Sequence, residues 1–150
     1  MAAGSLLLAL TLSAMVAPAD AGLRPPRAGE DAIVELRGRV VCLEADAVRP
    51  CADASRLFAL EVPGEGRHVF RAGDPLAAMF ADPRVRAREL VVRAREAPSG
   101  EVETIKVFSV REGRLFDLDY FCEVCNVVAY APGPCVCCGR PMVLRETPLR

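Results

Sequence analysis

The alternation of apolar and polar side chains predicts β-strands over most of residues 31–111. The clearest stretch is residues 34–42, where every second position from Val34 to Cys42 is apolar or glycine and most positions between them are charged. A period of two is typical of a strand with one buried face. Gly38, in the middle of this strand, indicates a bulge or a sharp bend.

Four further strands are predicted at residues 57–62, 67–71, 89–95 and 101–110. The first two flank Pro63-Gly64-Glu65-Gly66, which predicts a hairpin with a four-residue connection. Before the last two, Asp74-Pro75 supplies an N-cap carboxylate and a first-turn proline for a short helix that extends to Phe80 and is interrupted at Asp82-Pro83. The predicted order is β-β-β-α-β-β.

This order resembles that of the OB-fold, a small five-stranded barrel. The resemblance concerns topology and implies a mainly β fold, with an OB-like barrel over residues 31–114. A last extended piece, Leu115 to Tyr120, then leads into a C-terminal segment over residues 115–150. Since OB-folds often bind nucleic acids or sugars, ligand binding at the barrel is one functional alternative.

The C-terminal segment contains two Cys-x-x-Cys pairs, Cys122/Cys125 and Cys135/Cys138. Each pair places two sulfurs on one tight turn, and two facing turns supply four thiolates for one tetrahedral ion. Zinc is the ion expected for such a ligand set. The short spacing between the pairs predicts a small zinc-ribbon-like knuckle.

Residues suited to tight turns surround these cysteines. Asn126 and Gly139 follow the second cysteine of each pair and tolerate a positive φ, which would aim backbone N–H groups at the sulfurs. Pro132-Gly133-Pro134 would reverse the chain between the pairs. Cys137 is a surplus thiol, interpreted as a spectator beside the site.

The tail also resembles the short heavy-metal-binding domain appended to metal-efflux adaptor subunits and metal-pumping ATPases. The matching residues are Tyr120, Cys122, Pro132-Gly133, Cys135, Cys138-Gly139, Met142 and Leu144. Cys125 stands where that family has histidine, Glu123-Val124 replaces Pro-Met, and Arg140-Pro141 separates Gly139 from Met142. The resemblance implies a metal site, and the all-cysteine ligand set favours a structural ion.

Two other interpretations of the tail cysteines stay open. An exported protein could join them in disulfides, although bridging within a two-residue spacing is strained. The Cys122/Cys125 pair could also exchange disulfides, but the βαβ context typical of that motif is missing.

Cys42 and Cys51, in the predicted barrel, suit a disulfide. The competing interpretation is that Cys42 is a buried free thiol.

The first 21 residues are predicted to be a signal peptide. Leu6 to Val16 is apolar but too short to span a bilayer, and Ala19-Asp20-Ala21 fits a cleavage site. Residues 22–30 then form a flexible lead-in. We therefore expect a periplasmic or secreted protein without a stable membrane anchor.

Composition argues against other classes of function. The net charge is −1 and aromatic residues make up 5% of the chain, so nucleic-acid binding is not expected. His68 is the only histidine, has no serine or cysteine nucleophile nearby in sequence, and is interpreted as a surface residue. Asp117 and Asp119 are interpreted as solvating a strand edge and not as an acid/base pair. The prediction is a non-catalytic, exported metal-binding protein. Its alternative is a ligand- or partner-binding barrel that zinc only staples.

Overall fold

The strands of the protein dominate its computed structural model, which describes residues 32–44, 47–51 and 57–149. They are β1 (Ile33–Glu44), β2 (Ala47–Arg49), β3 (Phe58–Val62), β4 (Gly66–Val69), β5 (Leu90–Glu96), β6 (Val102–Arg111), β7 (Arg114–Cys122), β8 (Val127–Ala129) and β9 (Val143–Pro148). A 3-10 helix (Ala77–Ala81) and α1 (Pro83–Arg86) separate β4 from β5. The predicted mainly β class is confirmed, whereas the predicted signal peptide and lead-in lie outside the described residues.

The strands form one antiparallel sheet in the order β4-β3-β1-β5-β6-β7-β8, with β2 beside β1 and β9 beside β7. The chain just after β4, at one end of the sheet, approaches β6 at a parallel bridge between Phe70 and Val102, where the Arg71 N–H donates to the Val102 carbonyl at 2.9 Å. In the described part of the chain the sheet is not closed, so the predicted barrel remains open.

Strand β1 changes partners at Gly38. Residues 33–38 pair with β5, and residues 39–42 pair with β3. A Cβ at Gly38 would lie 2.1 Å from the carbonyl oxygen of Glu61 on β3. The glycine predicted to mark a bend therefore allows a close backbone approach that no other residue permits.

Two aspartates organise the helical segment. Asp74 Oδ1 accepts the N–H groups of Leu76 and Ala77 at 2.9 and 3.3 Å, but the 3-10 helix begins at Ala77 with Leu76 at its N-cap position, later than predicted. Asp74 Oδ2 accepts the Thr104 N–H of β6 at 2.7 Å. Instead of only interrupting the predicted helix, Asp82 begins a second one. Its side chain accepts the Arg84 N–H at 2.8 Å, and Pro83 occupies the first position of α1.

The core lies under β1, β3, β5 and the helical segment, and β7 reaches into it. Phe58, Phe70 and Phe80 are buried there, as predicted, with the Phe70 and Phe80 ring centroids 4.6 Å apart. Cys42 is both buried and disulfide-bonded to Cys51, which confirms that predicted bridge. No helix in the described ranges is long and apolar enough to cross a membrane.

Replacing Gly38 by alanine should lower the free energy of unfolding by about 1–3 kcal/mol, because the added methyl group forces β1 and β3 apart. Gly100 is the control, since its φ is 82° but no atom lies within 4 Å of an added Cβ. Gly100→Ala should cost only about 1 kcal/mol. Urea denaturation measures both variants, and a Gly38→Ala protein as stable as the native chain would contradict the proposed contact.

Candidate metal centre

Strand β7 connects the core to the cysteines. Leu118, Tyr120 and Cys122 alternate along it and are all buried, and Leu118 and Tyr120 belong to the main core cluster. β6 pairs with the first part of β7 and β8 with its last residues. β9 pairs along residues 116–121 of β7, on the edge opposite to β6 and β8. The first cysteine is therefore held at the end of a strand bounded on both edges.

Tyr120 joins β7 to the helical segment. Its hydroxyl donates to Asp82 Oδ2 at 3.0 Å, while Arg84 pairs with the same oxygen at 2.7 Å. Burial alone would raise the pKa of Asp82, but the hydrogen bonds from Arg84 and Tyr120 outweigh it and hold that pKa below its ordinary value. Burial and the Asp82 carboxylate raise the pKa of Tyr120, so its hydroxyl remains a donor at neutral pH.

Glu146 fixes β9 in a similar way. Its two oxygens accept Arg88 at 2.9 and 3.2 Å, and the Ser109 hydroxyl of β6 donates to it at 2.6 Å. The Arg88 guanidinium lowers the pKa of Glu146. A strand near the C-terminal end is thus tied to the segment after α1 and to β6.

Ion pairs cover the opposite face of β7. Asp119 accepts two hydrogen bonds from Arg145, each of 2.9 Å, and Lys106 lies 2.6 Å from Asp117. Both cations also lie over rings, Arg145 over Phe121 and Lys106 over Tyr130. Each aspartate is engaged by its own cation, but Asp119 is buried, so the interpretation that both carboxylates solvate a strand edge is wrong for Asp119.

Two matching turns carry the cysteines. In the first, Asn126 has a φ of 56° and its N–H donates to the Cys122 carbonyl at 2.8 Å. In the second, Gly139 has a φ of 69° and its N–H donates to the Cys135 carbonyl at 2.8 Å. The Cys135 N–H in turn donates to the Arg140 carbonyl at 2.7 Å. The positive φ predicted at both positions is confirmed.

The turns bring all four predicted ligands together. The sulfurs of Cys122, Cys125, Cys135 and Cys138 lie within 4.8 Å of one another, so that they could hold a metal ion. Cys122 Sγ and Cys138 Sγ are 3.6 Å apart. A disulfide requires about 2.05 Å, whereas a tetrahedral zinc ion with sulfurs at about 2.3 Å holds them about 3.8 Å apart. The spacing fits a shared ion, and all four are free thiols.

Backbone N–H groups and neighbouring sulfurs give the cysteine thiols of this cluster different pKa values. The N–H groups of Cys137 and Cys138 point at Cys135 Sγ and lower the pKa of Cys135 to about 6. Hydrogen bonding to Cys138, burial and the other sulfurs raise the pKa of Cys125. The Arg140 N–H favours the Cys138 thiolate, but burial and the sulfurs of Cys122 and Cys135 together raise the pKa of Cys138. Hydrogen bonds among the four sulfurs thus favour the thiolate of Cys135 and oppose that of Cys125.

The remaining candidates lie apart from this cluster. Cys137 is exposed and outside the four-sulfur group, as predicted. His68 is half-buried rather than on the open surface, and its Nε2 lies 3.7 Å from Glu65 Oε2. Asp82 and Glu146, which position the tail, were missed by the sequence analysis. An Asp-Pro pair signals a helix start for Asp82, but no local pattern identifies Glu146.

Comparison with known proteins adds no relative, because no family model, no curated protein and no solved structure matches this chain.

Replacing Tyr120 by phenylalanine should lower the free energy of unfolding by about 1.5–3 kcal/mol, because it removes a buried hydrogen bond to a carboxylate. The exposed Tyr130 is the control, and Tyr130→Phe should change stability by less than about 0.5 kcal/mol.

The effect of Tyr120→Phe should also depend on pH, because Asp82 has a lowered pKa in the folded chain. The stability that the Asp82 carboxylate contributes is present above its unfolded pKa, about 3.9, and is lost as the pH falls through its folded pKa. The Tyr120→Phe difference should therefore shrink in acid. Denaturation at neutral and acidic pH measures this, and a difference independent of pH would contradict it.

Proposed function

We propose that this is an exported zinc-binding protein without catalytic machinery, whose four tail cysteines hold one ion. The observation that carries the proposal is the convergence of four cysteine sulfurs within 4.8 Å. They come from two turns separated by β8 and a proline-rich connection, so their meeting is a product of the fold and not only of sequence spacing. A divalent cation would relieve the repulsion among the ionised sulfurs.

Zinc suits this ligand set best. Four thiolates in a closed tetrahedral arrangement are typical of structural zinc, and the N–H groups directed at Cys135 and Cys138 favour the thiolate forms. A bound ion would join the end of β7 to the second turn, most of whose residues are exposed. This supports a stabilising role for the ion.

A second candidate is a ligand- or partner-binding OB-like body in which the ion serves only as a staple. It is favoured by the position of Cys122, which continues directly from the core through Tyr120 and Leu118. The two proposals differ in what metal removal does. If zinc is only a staple, the body's own binding activity should survive wherever the body remains folded.

Export is proposed from the N-terminal apolar segment, and the Cys42–Cys51 disulfide is consistent with an oxidising compartment. Mass spectrometry of the exported protein should find Gly22 as its first residue.

A thiol–disulfide function is the less favoured alternative. It would require a readily formed and reduced Cys122–Cys125 bond in the metal-free chain.

Changing the buried Cys122 to serine should abolish stoichiometric zinc and disorder residues 123–141, because a hydroxyl is a poor zinc ligand and most of those residues are exposed, with little core of their own. Cys137→Ser is the matched control and should retain one zinc per chain. Elemental analysis of both purified variants measures the metal, and circular dichroism follows the tail. If Cys122→Ser still binds one zinc per chain, the four-thiolate assignment is wrong.

A further inference from the structure

The four sulfurs of the proposed zinc site differ in access to solvent. Cys122 and Cys135 are only 1% and 2% exposed, whereas Cys125 is half-buried and Cys138 is exposed. Here two ligands anchor the site from inside and a third, Cys138, lies at the surface, so that an ion held by them could be approached from the Cys138 side.

The second turn has an exposed tip on a fixed base. At the base, the Cys135 N–H donates to the Arg140 carbonyl and the Gly139 N–H donates to the Cys135 carbonyl. Between them Val136, Cys137 and Cys138 are all exposed, Val136 to 93%. Few packing contacts therefore restrain the side chains of the tip, while the N–H groups of Cys137 and Cys138 keep its backbone against Cys135 Sγ.

The same tip carries a fifth thiol. Cys137 is free, exposed and adjacent in the chain to the most exposed ligand, Cys138. With Cys135 it forms Cys-x-Cys, a second spacing that brings two sulfurs to one ion. The first turn offers no spare thiol, because Glu123 and Val124 lie between its cysteines.

We propose that Cys137 is an exchange ligand, which replaces Cys138 on the ion as a first step in the transfer of zinc to an acceptor with thiolate donors. In this exchange the Cys137 thiol releases a proton to water as its sulfur binds. The Cys138 sulfur leaves with its electron pair and takes up a proton. The ion keeps its charge and its number of sulfur ligands, and no electrons are transferred. This inference rests on the proposed zinc site and makes that site one that handles metal.

The physical reason is proximity. A thiol one residue from a ligand has a high effective concentration at the ion, which a free thiol in solution reaches only at millimolar levels or above. A stepwise replacement also avoids a state in which the ion is held by only three sulfurs. Cys137 should thus accelerate release while adding little to the equilibrium affinity.

The first test uses metal content and Co²⁺ as a spectroscopic probe, since thiolate-to-cobalt bands report the number of sulfurs bound. Cys138→Ser should keep one metal per chain and the bands of four sulfur ligands, because Cys137 takes the vacated position. The double variant Cys137→Ser/Cys138→Ser should lose those bands. Cys122→Ser, which has no neighbouring thiol, should lose them as a single change.

The second test measures the rate at which the zinc-loaded, disulfide-intact chain gives its ion to a chromophoric chelator. Cys137→Ser should slow the transfer about tenfold, which corresponds to about 1.4 kcal/mol in the barrier, at unchanged metal content. Val136→Ser, on the same exposed tip with all thiols intact, is the control and should transfer at the native rate.

The outcomes distinguish a failure of the exchange role of Cys137 from a failure of the proposed zinc site. If Cys122→Ser retains the metal, the four-thiolate site itself is wrong. If Cys122→Ser loses it, the zinc site stands. The exchange role is then overturned either by a Cys138→Ser chain without the four-sulfur spectrum or by a Cys137→Ser chain that transfers zinc at the native rate.

Discussion

The hydrogen bond from Tyr120 to the buried carboxylate of Asp82 is the contact on which the rest of the arrangement depends. It fixes β7 against the helical segment two residues before Cys122. Asp82 contacts both elements, because it accepts the hydrogen bond from Tyr120 of β7 and also begins α1, where it pairs with Arg84. The end of β7 that carries the first cysteine is therefore part of the core of the body. Its first cysteine is placed by the same core that holds β1, β5 and the helices.

The thiol cluster imposes a second constraint. Sulfurs brought within 4.8 Å cannot all ionise without a counter-charge, and the raised pKa of Cys125 beside the lowered pKa of Cys135 shows how unevenly they share protons. The four sulfurs lie close together just beyond the end of β7, where the core ends. An ion there would convert a repulsive group into a link between the two turns.

Much of this arrangement could be predicted because its determinants are local. The alternation over residues 34–42, the hydrogen bonds that Asp74 accepts from the chain after it and the turns at Asn126 and Gly139 depend on neighbouring residues, and each was predicted. β9 was not, because its stability comes from contacts with β7 and from Glu146, whose partner Arg88 lies 58 residues away. For the same reason, the four ligands could be named from their spacing, but the difference between buried Cys122 and exposed Cys138 could not.

The most direct test of the zinc site is elemental analysis of the native protein, purified without chelators from the compartment into which it is exported. The account predicts one zinc per chain, retained through dialysis, with Cys122, Cys125, Cys135 and Cys138 protected from alkylation until the metal is removed. A chain without metal whose tail cysteines become reactive only after reduction would contradict it, because those cysteines would then be disulfide-bonded.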